Sequence, residues 1–190
     1  MLALPLMATN ADSVPLNLVC HPQTPSLSVH GVEVVVQVSA DGVLTACYVL
    51  TGDLSALRIP EYCSPQRADA VWRHTCFEAF VMAGEGPGYR EFNFSPSGGW
   101  AAYRFQSYRK AGEPMVESEP EIRVRRSADC LELTAEFHTG FPSGCRSLRL
   151  GLSTVVEQAD GGLSYWALCH PPGRPDFHHL DAFAQQLDLT

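Results

Sequence analysis

The sequence contains no run of about twenty apolar residues, so a membrane-spanning helix is not expected. Its opening, MLALPLMATNADS, holds a short apolar run with no basic residue ahead of it, too little for a secretory leader. Basic residues are scarce: 13 Lys and Arg against 21 Asp and Glu leave a formal charge of −8. That balance disfavours nucleic acid and anionic membrane as partners, which need a clustered positive field. The one basic run, Arg123-Val124-Arg125-Arg126, is short, and its alternate arginines suit a solvated strand face. Seven cysteines are present without a CxxC pair, and an odd number of reduced thiols fits a cytoplasmic protein best. P-loop, dinucleotide and GxSxG signatures are missing too, and Ser95 and Ser97 in FSPSGG suit a hairpin turn.

What is present describes a turn-rich globular chain. At 190 residues, 45% apolar, with 15 Gly and 14 Pro, it is long enough to bury a core as a single domain spanning residues 1–190. Apolar residues recur with a period of two in short runs bounded by Gly, Pro, Asp and Ser, which is the pattern of strands. Residues 29–39 and 43–50 flank Asp41-Gly42 as a hairpin, with Val32, Val34 and Val36 on one face and Leu44, Ala46 and Tyr48 on the other strand's matching face. After an irregular connection with room for a helical turn, strands are expected at 71–82, 89–95, 100–109, 120–126, 130–138, 147–157 and 163–169, with a short last strand after a Pro-rich segment. Eight to ten strands in one unit predict an all-β fold, a jelly-roll β-sandwich of two antiparallel sheets.

The stretch WRHTCFEAFV within 71–82 has an unusual face. Thr75, Phe77, Ala79 and Val81 form the apolar parity, leaving Trp72, His74, Cys76, Glu78 and Phe80 opposite. In 89–95, Phe92 and Phe94 are assigned to the core and Asn93 to the other side. In 100–109, Tyr103 and Phe105 are assigned to the core, leaving Trp100, Arg104 and Tyr108 outside. Paired side by side, these strands would present rings together with directional polar groups. That mixture suits a sugar or polyol, whose C–H faces stack on rings while its hydroxyls need donors and acceptors. The competing reading makes Glu78 and Arg104 a cross-strand ion pair and His74 a structural residue.

Metal and cofactor readings fare worse. His74 and Glu78 have a helical metal spacing, but on a strand their Cα atoms would stand about 13 Å apart. Met82, sharing the parity of His74, would lie about 26 Å away, too far to complete a haem site with it. No metal and no cofactor are expected. A site joining His170 to His178 or His179 stays open as an alternative, as does an enzyme using His74 or His170 with Glu78.

The segments LNLVCHPQTPS, TGDLSALRIP, VWRHTCFEAFV, YREFNFSPSGGWAAYRFQSYR and SYWALCHPPGRPDFHHLDAF together resemble the bacterial DOMON-like proteins related to family 9 carbohydrate-binding modules. The resemblance implies a jelly-roll β-sandwich that binds sugar, or haem in other DOMON branches, without catalytic chemistry. It points to Trp72, Glu78, Asn93, Trp100 and Arg104 as ligand contacts, and Trp166 and His170 fall in a motif of the same subgroup. The expectation is therefore a non-enzymatic domain holding a small polar ligand, a saccharide above all, through Trp72, His74, Glu78, Asn93, Trp100, Arg104, Tyr108, Trp166 and His170. The alternative is a protein-interaction module that docks a partner chain on the same face.

Overall fold

A computed structural model describes residues 14–39, 41–84, 86–115, 118–141 and 145–189, so the opening stretch at 1–13, expected not to be a secretory leader, lies outside the described residues. Among the described residues there are thirteen strands: β1 Leu16–Cys20, β2 Val29–Val38, β3 Val43–Gly52, β4 Gln66–Arg67, β5 Cys76–Ala83, β6 Tyr89–Phe94, β7 Gly99–Ser107, β8 Lys110–Ala111, β9 Glu121–Arg126, β10 Cys130–His138, β11 Ser147–Glu157, β12 Leu163–Ala167 and β13 Gln185–Asp188. No α-helix occurs among the described residues, and the fold is all-β.

One hydrogen-bonded path joins the strands in the order β4-β7-β6-β5-β11-β12-β1-β2-β3-β10-β9, with β13 added on β11 and β8 on β7. The sheet is mixed, because β4 runs parallel to β7. Continuity comes from β1, which pairs with β2 through Leu16–Leu18 and with β12 through Val19 and Cys20. The path curls so that β3 and β10 lie over β5 and β6. Tyr48 meets Phe77 at a centroid distance of 5.1 Å, and Phe137 meets Phe92 at 4.5 Å.

The period-two reading predicts the core well on most strands. Leu44, Ala46, Tyr48 and Leu50 on β3 are all fully buried, facing Val32 and Val34 of β2 on the same side. Gly42 makes the hairpin between them in the left-handed region, at φ 81°. On β5, Phe77, Ala79 and Val81 enter the main core as the pattern requires.

Two local departures change the outer face. Ala70 adopts a left-handed conformation, and Val71–Arg73 winds into a 3-10 turn in which His74 N–H bonds back to the Val71 carbonyl. β5 therefore begins at Cys76, and Trp72 and His74 do not belong to its alternation.

The second departure is on β7. Phe94 pairs with Trp100, Phe92 with Ala102 and Glu91 with Tyr103, so Trp100 and Ala102 share the core side with the phenylalanines. Tyr103 and Phe105 then face outward, opposite to the sequence reading. The cause is the turn at residues 95–99, closed by Ser95 N–H to the Gly99 carbonyl and held by Gly98 at φ 91°. With both parities of β7 aromatic, hydrophobicity could not decide between them; the turn did.

The outer face of β5 and β6 is not solvated. Every residue of β6, and Cys76 to Met82 of β5, is buried. The cover is the segment between β12 and β13, whose Phe177 and Phe183 pack with Phe80, Met82 and Tyr89 as a second apolar cluster. Gly151 on β11 permits the approach, since a Cβ there would stand 3.2 Å from the Ala182 carbonyl oxygen.

Candidate functional site

Beside this cover the outer face stays open as a cavity of about 720 Å³. Its polar residues include two glutamates from adjacent strands. Glu78 of β5 lies opposite Asn93, and Glu91 of β6 lies opposite Phe80, so the two share a face one step apart along the sheet. They are 3% and 5% exposed, and neither forms an ion pair with Lys or Arg among the described residues.

What holds them is hydrogen bonding. Ser153, directly across β11, donates its hydroxyl to Glu78 Oε2 at 3.3 Å. Asn93 Nδ2 donates to Glu91 Oε1 at 2.8 Å, and Asn93 Oδ1 takes a weak contact from the Cys76 thiol at 3.7 Å. From the opposite layer, the Tyr48 hydroxyl donates to the backbone carbonyl of Glu78 at 2.8 Å and anchors that stretch of β5. Burial pushes the Glu78 carboxyl well above the usual carboxylate range, with the neighbouring Glu91 adding to the effect. Burial also raises Glu91, to about 7, against the opposing pull of its Asn93 hydrogen bond and of Arg109. The pair therefore retains a proton near neutrality.

The next group is a histidine that sequence reasoning left out of the site. His178 Nδ1 lies 2.8 Å from the Tyr89 hydroxyl, and that hydroxyl accepts the Arg109 backbone N–H at 3.1 Å. Tyr89 then has its proton free to donate to Nδ1, which assigns the remaining ring proton of neutral His178 to Nε2. Nε2 stands 3.8 Å from Glu91 Oε2, longer than a hydrogen bond. Burial, reinforced by Arg109, lowers the His178 pKa to about 4, so the imidazole is neutral at physiological pH.

Asp176 fixes the loop that carries His178. It accepts from the Tyr108 hydroxyl at 2.6 Å, from Arg109 Nη2 at 2.8 Å and from the His178 backbone N–H at 3.2 Å. Arg109 is thus tied to Asp176 while its side chain still borders the cavity.

Six aromatic rings line the walls: Tyr103 and Phe105 from β7, Phe80 from β5, Tyr165 from β12, Phe177 from the covering segment and Trp72 from the 3-10 turn. Trp72 is 45% exposed, with the Arg73 guanidinium 5.2 Å over its ring. A large ring left accessible beside a concavity is available to stack on a ligand.

Of the residues singled out from the sequence, Trp72 and Glu78 line the cavity, and Asn93 lies fully buried beneath it. Tyr108 is exposed beside it and reaches it only through Asp176 and Arg109. Trp100 and Trp166 are in the main core, the latter with its indole N–H on the Ser164 hydroxyl at 3.1 Å. Arg104 has the parity of Trp100, on the other side of β7 from Glu78's face, so the proposed Glu78–Arg104 ion pair is not formed. His74 turns away to Glu157, 2.8 Å from Nδ1, in a cluster with Arg58. His170 donates through Nε2 to the Val19 carbonyl at 2.8 Å and meets His21 edge to face. No group of three or more metal-ligating side chains converges among the described residues.

Glu91 shares the parity of Asn93 in its strand but lacks any local feature to mark it. His178, Phe177 and Tyr165 reach the cavity only through the path of the covering segment and β12. The adjacent histidines of DFHHLDAF were a usable signal: His178 points inward, while His179 caps the next 3-10 turn by accepting the Asp181 N–H.

No protein-family model matches the sequence, and no curated protein matches it either. The structure is similar to that of a "putative carbohydrate-binding protein" from Bacteroides uniformis ATCC 8492, with a TM-score of 0.61 and 14% identity over 93% of this chain and 85% of that one. It is also similar, with a TM-score of 0.46 and 9% identity over 83% of this chain and 75% of that one, to a family 9 carbohydrate-binding module from Caldicellulosiruptor kristjanssonii in complex with cellotriose. The first likeness shows a shared fold.

Proposed function

We propose that this chain is a non-catalytic binding domain for a saccharide or glycan-derived small molecule, which sits in the cavity over β5, β6 and β7. The observation that carries the reading is the pairing of aromatic walls with a polar lining inside one concavity. Sugar rings present C–H faces that stack on Tyr103, Phe105 and Trp72, while their hydroxyls find acceptors in Glu78 and Glu91 and donors in Arg109 and His178 Nε2. The fold likeness supports it, since the Bacteroides protein is described as carbohydrate-binding. The same reading makes the domain a DOMON-like jelly-roll sandwich working in the cytoplasm, where its seven free thiols would stay reduced.

The depth of the site favours a small ligand over a docked protein chain, because the two carboxyls are almost wholly buried while still lining the cavity. A glycan array followed by calorimetry tests the proposal. Saturable binding of a saccharide, lost in Tyr103→Ala while the melting curve persists, is the expected result. An array on which nothing saturates would remove the saccharide reading.

A further inference from the structure

The unusual feature of the cavity is its acidity at depth. Glu78 and Glu91 are neighbours on one sheet face, both more than nine-tenths buried, and both line the open space. Glu78 receives a single side-chain hydrogen bond among the described residues, the long one from Ser153. A buried carboxylate needs more than this, so most of its acceptor capacity is directed to whatever enters.

The nearby cations do not fill that need. Arg109 is tied to Asp176 at 2.8 Å, and Arg73 lies over the Trp72 ring at the rim. His178 is a neutral imidazole whose Nε2 is 3.8 Å from Glu91. Two adjacent buried carboxyls cannot both ionise without a counter-charge, so the pair is balanced either by a proton or by a cation from solution. The walls suit the second choice too, since aromatic faces around a desolvated site attract a cationic group. Glu78, a buried and under-bonded carboxyl, and the aromatic enclosure point to the same ligand chemistry independently.

We infer that the ligand carries a protonated amine, an amino sugar with a free ammonium group, which binds the Glu78 and Glu91 carboxyls while its ring stacks on Tyr103 and Phe105. This rests on the saccharide reading and narrows it to a substrate class. A neutral glucan would offer the pair only hydroxyls and leave it holding its proton. An N-acetylated sugar would replace the ammonium by a neutral amide. The ammonium displaces the protons that the two carboxyls hold, which leave to solvent, and both carboxylates become charged in the complex.

The test is calorimetry on the full chain at about neutral pH with four probes: a glucosamine tetramer, its N-acetylated form, cellotetraose and tetramethylammonium. A charge-assisted hydrogen bond in a buried site predicts at least about tenfold tighter binding of the glucosamine tetramer than of either neutral tetramer. Glu78→Gln and Glu91→Gln should each abolish that preference, with near-ultraviolet circular dichroism confirming the fold. Repeating the titration in two buffers of different ionisation enthalpy near pH 6, below the Glu91 pKa of about 7, should reveal between one and two protons released per site. The other titratable or charged groups around the pair are Tyr48, Cys76, Tyr89, Tyr103, Arg109, Tyr165, Asp176 and His178, with Asp69 and Arg73 on the cavity wall.

Equal or tighter binding of the neutral tetramers, with both glutamine variants unchanged in ranking, overturns the amine inference and leaves the saccharide reading standing. Binding of tetramethylammonium with none of the sugars overturns the saccharide reading and keeps the cationic site. Tight binding of the glucosamine tetramer without proton release places its amine elsewhere and also overturns the inference. Failure of all four probes overturns it outright.

Discussion

Ser153 of β11 lies directly opposite Glu78 of β5, and its hydroxyl is the one side-chain donor that the buried carboxyl receives among the described residues. So sparse a shell favours the protonated acid over the carboxylate. Glutamine has the same shape and needs no proton. Glu78→Gln is therefore expected to raise the melting temperature by roughly 2–8 °C at about pH 8, and to change it little at about pH 4, where the wild-type acid is already neutral. Circular dichroism melts at the two pH values check it.

The wild-type stability profile should carry the same signature from Glu91. Its folded pKa, about 7, is above its ordinary 4.5, so the folded state binds the proton more tightly than the unfolded chain does. The contribution is fully present below about pH 4.5 and is lost as pH rises through about 7. Urea titrations should show Glu91→Gln flattening this decline, with a difference on the order of 1–3 kcal/mol at the alkaline end.

Trp72 and Trp100 should separate binding from folding. Trp72 is 45% exposed at the cavity wall, so Trp72→Ala is expected to fold normally and lose affinity for the saccharide. Trp100 is 5% exposed within the main core, so Trp100→Ala should destabilise by about 3–5 kcal/mol. Melting curves and ligand titrations on both variants provide the comparison.

Tyr48→Phe tests how the two layers are tied together. The lost hydroxyl leaves the Glu78 carbonyl without its donor from β3, and the site is buried, so a cost of about 1–3 kcal/mol is expected. Urea unfolding measures it.

Asp176→Ala removes the acceptor shared by Tyr108, Arg109 and the His178 backbone. The covering segment should then open more readily, seen as faster protease cleavage between β12 and β13 and weaker ligand binding. Limited proteolysis followed by mass spectrometry locates the cut.

How much of this was readable beforehand differs from strand to strand. On β3 and β5 the apolar parity was one-sided, Leu44 to Leu50 and Phe77 to Val81, and only one face could be core. On β7, Trp100 and Tyr103 compete with equal claims, and alternation alone assigned them the wrong way round. The boundary of β5 also escaped, because nothing in Ala70-Val71-Trp72 announces a left-handed residue followed by a 3-10 turn. Glu78 survived as a candidate because a carboxylate between Phe77 and Ala79 is costly enough to notice in one strand. Its counterpart Glu91 required a neighbour to give it meaning.

The sequence by itself determined an all-β chain, the main strands and the inward residues of the clearest ones, since period two and hydrophobic burial act within a few residues of each position. It also pointed to a face mixing polar groups and rings on the central strands. Only the tertiary structure decided which rings those are, through the turn at 95–99 that pairs Phe94 with Trp100, and which histidine joins them, through the cover that brings His178 over Glu91. Such choices depend on register and on contacts across about ninety residues of chain, and no local pattern encodes the distance between groups that meet only when the sheet has curled.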